Sequence, residues 1–193
     1  IVLCLVTIKV SAIEKVILFG DSLMAGYGLP NEQHLSVVLQ NSLEVEGHNI
    51  EIVNGSVSGS TSAGGLNIAE WTLSENNIDL MILCLGANDM LRGINPKETK
   101  NNLEEIIQIA KNKNIKVIIA GMIAPTSYGF AYKKSFDKIF SDLSKKHKLQ
   151  LIPFLLEGVA QNPKFNLSDG MHPNDRGTII IGNTLKKAIL ENL

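Results

Sequence analysis

The feature that most constrains the fold is a fivefold alternation between short apolar runs and segments with helical periodicity. The apolar runs span residues 15–20, 50–55, 78–86, 115–121 and 149–154. The central runs are continuously apolar, a pattern typical of strands buried on both faces of a parallel sheet. The intervening segments place apolar residues three and four positions apart, as amphipathic helices do. We therefore predict one α/β domain with three α/β/α layers and a five-stranded parallel sheet.

Capping residues mark the ends of some of these helices. Asn95 followed by Pro96 is typical of a helix start, because proline fits the first helical position. Gly47 follows a helical segment and is predicted to be its C-cap. No repeat, low-complexity tract or linker interrupts the alternation. The sequence therefore predicts a single domain over residues 13–193.

Composition narrows the classes of partner. The chain has 193 residues, of which 45% are hydrophobic and 19% charged, a balance typical of a globular domain. Its formal net charge is −1 and its lysines form no long basic cluster. We therefore expect neither nucleic acid nor an anionic membrane surface as a partner. We also expect the chain to be a monomer.

The first twelve residues differ from the rest. Residues 1–8 are almost wholly apolar, and small residues follow at Ser11 and Ala12. This pattern is typical of the end of a secretory signal peptide, with Val10-Ser11-Ala12 as the cleavage site, although an ordinary first strand is an alternative. We predict that residues 1–12 are a signal-peptide remnant and that the protein is periplasmic or secreted. No other run approaches the ~20 apolar residues of a transmembrane helix, so no stable membrane anchor is expected.

Four polar, glycine-rich segments follow the predicted strands or precede the last helix. They are "GDSLMAGYG" (20–28), "NGSVSGSTSAGG" (54–65), "LGANDMLRG" (85–93) and "SDGMHPND" (168–175). Each alone has a structural interpretation: a flexible loop, a cap by Asn88 or Asp89, or a turn that leaves His172 at the surface. The carboxyl ends of parallel strands, however, meet at one edge of the sheet, where such folds bind ligands. The four segments together predict a site at that edge.

The residue types at that edge fit acyl transfer. Ser22 is a candidate nucleophile, and a serine hydroxyl needs a base within hydrogen-bond reach. Among the four histidines, only His172 has an acid, Asp169, three residues before it, and that carboxylate can hold the imidazole in the required tautomer. Donors for an oxyanion are expected from the Gly59 and Ser22 backbone N–H groups and from the Asn88 side-chain amide.

This constellation resembles the SGNH hydrolases, the GDSL esterase/lipase family. "GDSL" (20–23), Gly59, Asn88 and "DGMHPN" (169–174) match its four motifs in the family's order. Nearly the whole chain after residue 14 is similar to a bacterial periplasmic subgroup with thioesterase, lysophospholipase and arylesterase activities. The resemblance implies a flavodoxin-like fold and a serine esterase that cleaves carboxylic esters or thioesters through a Ser-His-Asp triad and an acyl-enzyme. It implies no cofactor and no metal.

The chain departs from that subgroup at two positions beside the expected oxyanion donors. Ser60 stands where the subgroup often has aspartate, and Ala87 where it often has glycine. Both changes are expected to affect loop mobility and substrate preference without removing a catalytic group. Apolar loops at residues 90–96 and 124–132 lie beside the predicted site. The candidate substrate-binding residues in or next to these loops are Leu91, Ile94, Tyr128 and Phe130.

Three alternatives define the competing functions. A carbohydrate O-acetylesterase of the same family would share all four motifs, but the apolar loops suit an acyl chain better than a sugar. A flavin- or phosphate-binding module would use the loop after the first strand, where the Asp21 carboxylate would repel phosphate. A metal hydrolase would need clustered ligands, whereas His34, His48 and His147 are scattered and expected to be solvated.

Overall fold

The computed structural model describes residues 14–74 and 77–193, and the predicted signal-peptide remnant lies outside them. Within these residues five strands form one parallel sheet in the order β2-β1-β3-β4-β5. The strands are β1 (Glu14–Gly20), β2 (Ile50–Asn54), β3 (Leu80–Cys84), β4 (Lys116–Ala120) and β5 (Gln150–Ile152). The predicted five-stranded parallel sheet is confirmed, and its strand order is the flavodoxin-like one.

Helices connect the strands and cover both faces of the sheet. They are α1 (Ser22–Ala25), α2 (Leu35–Val45), α3 (Ser62–Thr72), α4 (Ala87–Leu91), α5 (Pro96–Asn112), α6 (Phe130–His147) and α7 (Asp175–Leu190). Helix α2 packs against α7, while α5 packs against α3 and α6. Because parallel crossovers are right-handed, the reversal of strand order beside β1 sends these two groups to opposite faces. The three-layer prediction is therefore confirmed.

The core lies between the sheet and the two helical layers. All five residues of β3 are buried, as are Val16 to Gly20 of β1. Burial on both faces explains why these runs are continuously apolar, since each fully buried Leu, Ile or Phe contributes about 1.5–3 kcal/mol. Cys84 packs in this core, and burial raises the pKa of its thiol well above the usual value.

Side-chain caps fix where the helices begin at the carboxyl edge of the sheet. Thr61 accepts a hydrogen bond from the Gly64 N–H at the start of α3. Asn95 caps α5, with Pro96 at the first helical position as predicted. Asn174 caps α7. Each such cap typically contributes about 1 kcal/mol, and together they set the direction in which the loops of this edge leave the sheet.

One prediction about the histidines is wrong. His147 was expected to be solvated but is only 9% exposed, at the C-terminal end of α6. Its Nε2 lies 2.9 Å from Glu104 Oε1 on α5. A hydrogen bond from Lys146 lowers the pKa of Glu104, which keeps a charged acceptor beside the imidazole. The polar sequence around His147 concealed its burial, because the covering residues come from another helix.

Every helix within residues 14–74 and 77–193 is too short or too polar to cross a lipid bilayer.

Candidate active site

The first strand ends in the turn that carries the candidate nucleophile. Asp21 follows β1, is completely buried, and its Oδ1 accepts the Leu23 N–H at 3.1 Å. This hydrogen bond caps α1, so that Ser22 becomes the first residue of the helix. Ser22 is partly exposed, and its hydroxyl faces the loop that precedes α7.

The structure brings Ser22, His172 and Asp169 into one hydrogen-bonded chain. The Ser22 Oγ lies 2.9 Å from His172 Nε2, although 150 positions separate the two residues. On the other side of the ring, His172 Nδ1 lies 2.7 Å from Asp169 Oδ2. A carboxylate can only accept, so Nδ1 carries the hydrogen and Nε2 is free to accept the Ser22 proton. The arrangement is that of a nucleophile, a base and a group that orients the base.

The Asp169 carboxylate is held in its charged form. Its Oδ1 accepts the backbone N–H groups of His172 at 3.0 Å and Met171 at 2.8 Å. The His172 N–H above all lowers the pKa of Asp169 from 3.8 to about 2. The carboxylate is therefore ionised at neutral pH and can stabilise a positive charge on the imidazole.

Backbone pairing fixes the loop that carries His172. The Leu167 N–H donates to the His172 carbonyl at 2.8 Å, and Asn166 forms an isolated antiparallel bridge with Pro173. The Asn174 side chain caps α7 and also donates to the Asn166 carbonyl at 3.3 Å. His172 thus lies on a short segment anchored on both sides.

Gly59 lies in a tight turn at the carboxyl end of β2. The Ser60 N–H donates to the Val57 carbonyl at 3.0 Å, and Gly59 has a φ of 78°. The Val57 N–H donates to the Gly20 carbonyl at 3.0 Å, which ties the turn to the end of β1. Arg92 donates through Nη2 to the Gly59 carbonyl at 3.0 Å. The turn is therefore held from both sides.

The Asn88 amide lies between this turn and the nucleophile loop. Its Nδ2 donates to Asp21 Oδ2 at 3.2 Å and to the Ser60 carbonyl at 3.1 Å. Burial is the main cause that raises the pKa of Asp21 from 3.8 to about 6, which the hydrogen bonds from Leu23 and Asn88 partly oppose. Asn88 therefore joins the loops after β1, β2 and β3.

A buried polar network behind Asn88 went unrecognised in the sequence. Asp89 is completely buried and accepts the Ser62 N–H at 2.8 Å, the Ser62 hydroxyl and the Thr99 hydroxyl at 3.1 Å. Asn102 also donates to the Ser62 Oγ at 3.0 Å. This network fixes α4 against α3 and α5. A buried, fully bonded carboxylate directly after Asn88 would hold that amide in place.

The candidate substrate-binding residues divide into two kinds. Leu91 and Phe130 are exposed, and Phe130 leaves 81% of its surface open to solvent. Ile94 and Tyr128 are half-buried against Tyr132, whose hydroxyl donates to the Ile94 carbonyl at 2.9 Å. Substrate contact by these four residues stays a prediction.

A groove of about 630 Å³ lies between the β2 edge of the sheet and α3. Its lining comprises Ile17, Val53, Asn54, Gly55, Ser56, Val57, Ile68, Trp71, Thr72 and Ser74. None of the candidate catalytic or substrate-binding residues is among them. Among the residues that the structure describes, no group of three or more His, Cys, Asp and Glu side chains could hold a metal ion.

The chain matches known proteins over most of its length. The model of the GDSL-like Lipase/Acylhydrolase family matches residues 18–178. An arylesterase from Vibrio mimicus is 34% identical over 94% of this chain and 91% of its own length. Thioesterase 1/protease 1/lysophospholipase L1 from Escherichia coli is 30% identical over 97% of this chain and 88% of its own length.

A solved structure supports the same assignment. The crystal structure of TesA has a TM-score of 0.88 and 33% sequence identity, and the match covers 93% of this chain and all of that one. The fold, the family model and the named relatives point to the same family. The chain therefore belongs to the GDSL-like lipase/acylhydrolase family and is a carboxylic ester hydrolase.

Proposed function

We propose that the protein hydrolyses acyl esters and thioesters by nucleophilic catalysis at Ser22, through a covalent acyl-enzyme. The observation that carries this proposal is the continuous hydrogen-bonded chain from Ser22 Oγ through the His172 imidazole to the Asp169 carboxylate. A serine hydroxyl is a weak nucleophile until a base takes its proton, and His172 Nε2 lies at the distance required for that transfer.

The first half-reaction forms the acyl-enzyme. Ser22 Oγ attacks the ester carbonyl carbon while its proton moves to His172 Nε2, and the carbonyl electrons move onto the oxygen. The Asp169 carboxylate stabilises the imidazolium. When the tetrahedral intermediate collapses, the bond to the alcohol or thiol breaks, and the leaving group takes the proton from Nε2.

The second half-reaction repeats these steps with water. His172 takes a proton from the water, whose oxygen attacks the acyl carbon. Collapse of the second intermediate breaks the bond to Ser22, which recovers its proton from Nε2. The products are a carboxylic acid and the free enzyme, so no cofactor is consumed.

Three donors are proposed to stabilise the oxyanion: the Ser22 N–H, the Gly59 N–H and the Asn88 Nδ2. Within residues 14–74 and 77–193, neither of the two backbone N–H groups donates to a protein acceptor. The Asn88 Nδ2 already donates to Asp21 Oδ2 at 3.2 Å and to the Ser60 carbonyl at 3.1 Å, so it must exchange or share one of these hydrogen bonds to reach an oxyanion. A negatively charged oxygen is a stronger acceptor than the neutral carbonyl of the substrate, so this exchange would favour the transition state over the ground state.

The proposed substrates carry an apolar acyl chain. Leu91 at the end of α4 and Phe130 at the start of α6 expose apolar surface that an acyl chain could contact. The names of the relatives, arylesterase and thioesterase 1/protease 1/lysophospholipase L1, support a broad range of leaving groups. A panel of p-nitrophenyl esters with short to long acyl chains, run beside acetylated sugars, tests this class. Preference for the sugars would favour the carbohydrate O-acetylesterase alternative.

Covalent labelling tests the nucleophile directly. A fluorophosphonate probe followed by peptide mass spectrometry should modify Ser22. Ser22→Ala should lose the label and at least ~10³-fold in kcat, as expected when a triad loses its nucleophile. Ser74→Ala is the matched control, because Ser74 is an exposed serine that follows α3 and lies outside the proposed site. Modification of any other residue in the active protein would contradict the assignment.

We further propose that the enzyme acts in the periplasm or outside the cell. The support is the composition of residues 1–12, a run of apolar residues followed by small ones. Cell fractionation and mass spectrometry of the N-terminus test this. A mature chain that begins near Ile13 is expected, and a cytoplasmic chain that retains residues 1–12 would overturn the proposal.

A further inference from the structure

An aromatic ring packs against the His172 imidazole. The ring centroids of Tyr27 and His172 are 4.5 Å apart, with 39° between the ring planes. Tyr27 is 52% exposed, whereas His172 is only partly exposed. The phenol ring therefore packs against the imidazole and contributes to its partial burial.

The turn that carries Tyr27 is tied to the nucleophile and to the helix beyond it. The Tyr27 N–H donates to the Ser22 carbonyl at 3.3 Å. Gly26 precedes it with a φ of 84°, and a Cβ there would lie 2.4 Å from the His34 ring. His34 in turn bonds through Nε2 to the Leu29 carbonyl at 3.0 Å.

The other end of this turn meets the histidine loop. Gly28 has a φ of 76°, and a Cβ there would lie 2.7 Å from Leu167 Cδ1. The Leu167 N–H is the group that donates to the His172 carbonyl. The two glycines thus allow the close approach of the loops that places the Tyr27 ring beside the imidazole.

The ring, and not the hydroxyl, makes this contact. Within residues 14–74 and 77–193, no hydrogen bond involves the Tyr27 hydroxyl. The face of an aromatic ring carries partial negative charge and attracts a cation within about 6 Å of its centroid. An imidazolium at His172 would lie inside that distance.

We propose that Tyr27 is a positioning residue for His172, and that its ring also stabilises the positive charge that the imidazole acquires when it takes the Ser22 proton. This inference rests on the function proposed above. The other groups that face the imidazole are the Asp169 carboxylate at Nδ1, the Ser22 hydroxyl at Nε2 and the charge of the buried Asp21. These three stay in place when Tyr27 alone is changed.

The pH dependence of kcat/KM on a soluble p-nitrophenyl ester distinguishes two roles of the Tyr27 ring: stabilising the charge of the imidazolium, or only shielding the imidazole from solvent. Tyr27→Leu keeps an apolar cover and removes the ring. It should lower the high-pH plateau about 2- to 5-fold, the range expected for a cation–π contact at an exposed site. It should also move the midpoint of the acidic limb to lower pH by about half a unit, because the protonated imidazole loses the same stabilisation.

Two further variants keep the test decisive. Tyr27→Phe retains the ring and should stay within about twofold of wild type, and Tyr27→Trp should move the midpoint to higher pH because indole is the strongest cation–π partner. Trp71→Leu is the control, since Trp71 is an 81% exposed aromatic residue on α3 that lines the separate groove. It should leave the profile unchanged.

The outcomes distinguish this inference from the proposed function. An unmoved midpoint in both Tyr27→Leu and Tyr27→Trp, or a loss in Tyr27→Phe equal to that in Tyr27→Leu, would overturn the role of the ring while Ser22 labelling stood. If the fluorophosphonate left Ser22 unmodified, the proposed function would fail first, whatever the Tyr27 profiles showed.

Discussion

The Asp21 carboxylate accepts a hydrogen bond from the Asn88 amide, with Oδ2 and Nδ2 3.2 Å apart. The two residues follow neighbouring strands, β1 and β3, at the point where the strand order reverses. Asp21 also caps the helix that begins with Ser22. One buried carboxyl group therefore sets the position of both the proposed nucleophile and a proposed oxyanion donor.

Replacement of Asn88 should lower kcat strongly and should also cost stability, because Asp21 Oδ2 and the Ser60 carbonyl lose their donor. If its amide donates to the oxyanion, Asn88→Ala should lower kcat about 10²–10³-fold, with a smaller change in KM. Asn88→Asp should be at least as severe, because a carboxylate would repel the developing charge. Steady-state kinetics on a short ester, paired with thermal melting, measure both effects.

A second asparagine provides the matched control for this experiment. Asn95 caps α5, and Asn95→Ala should cost about 1 kcal/mol of stability while kcat stays close to wild type. If Asn88→Ala behaved in the same way, with a lower melting temperature and normal kcat, Asn88 would be a structural residue only.

Asp169→Asn should lower kcat about 10³–10⁴-fold without unfolding the protein. The asparagine amide cannot act as an ionised acceptor for His172 Nδ1, so the imidazole loses both its tautomer and the charge that stabilises its protonated form. The control is Asp175→Asn, an exposed carboxylate in the first turn of α7. Equal activities of the two variants would mean that Asp169 only shapes the turn before His172.

The continuous apolar runs predicted the strands because β1 and β3 are buried on both faces, where few polar residues are tolerated. The pairing of Ser22 with His172 was also predictable despite the 150 positions between them. Parallel strands bring the loops that follow them to one edge of the sheet. The predicted topology therefore places the two loops close together although they are far apart in sequence.

Contacts that depend on the packing of one loop against another were not predictable in this way. In the sequence Tyr27 is an aromatic residue in a loop, and only the structure shows that its ring lies beside that of His172. The acceptors of Asn88 depend on the direction of the Ser60 carbonyl, which follows from the turn and from no sequence motif. The sequence neighbours of His147 are polar, but in the folded protein a residue of α5, Glu104, lies against its ring.

Arg92→Leu should lower kcat about tenfold on a neutral ester. Arg92 donates to the Gly59 carbonyl, so its loss would free the turn that presents the Gly59 N–H. A charged hydrogen bond typically contributes about 1.5 kcal/mol or more, which corresponds to about tenfold in rate if all of it is lost from the transition state. Low concentrations of guanidinium should restore part of the activity. Arg176→Leu, the chain's other arginine, is the control and should show neither loss nor rescue. Wild-type kcat in Arg92→Leu would show that the turn holds its shape unaided.

The last prediction concerns the effect of the buried Asp21 on stability. Burial raises its pKa in the folded protein from 3.8 to about 6, so between these values the folded state binds more protons than the unfolded state. The free energy of unfolding therefore falls as pH rises through this window, by on the order of 3 kcal/mol in total. Roughly half of that loss should occur between about pH 5 and pH 8.

Asp21→Asn removes this titration. Between about pH 5 and pH 8, the free energy of unfolding of Asp21→Asn should therefore fall by about 1–2 kcal/mol less than the free energy of unfolding of wild type. Urea unfolding of both proteins at the two pH values measures this difference. The contributions of the other titrating groups cancel because wild type and the variant share them. Asp142→Asn is the control, because the hydrogen bond from Lys100 lowers the pKa of the Asp142 carboxyl and places its titration below this window. Parallel slopes for wild type and Asp21→Asn would show that the Asp21 carboxyl titrates alike in the folded and unfolded states, and that burial does not destabilise its charged form.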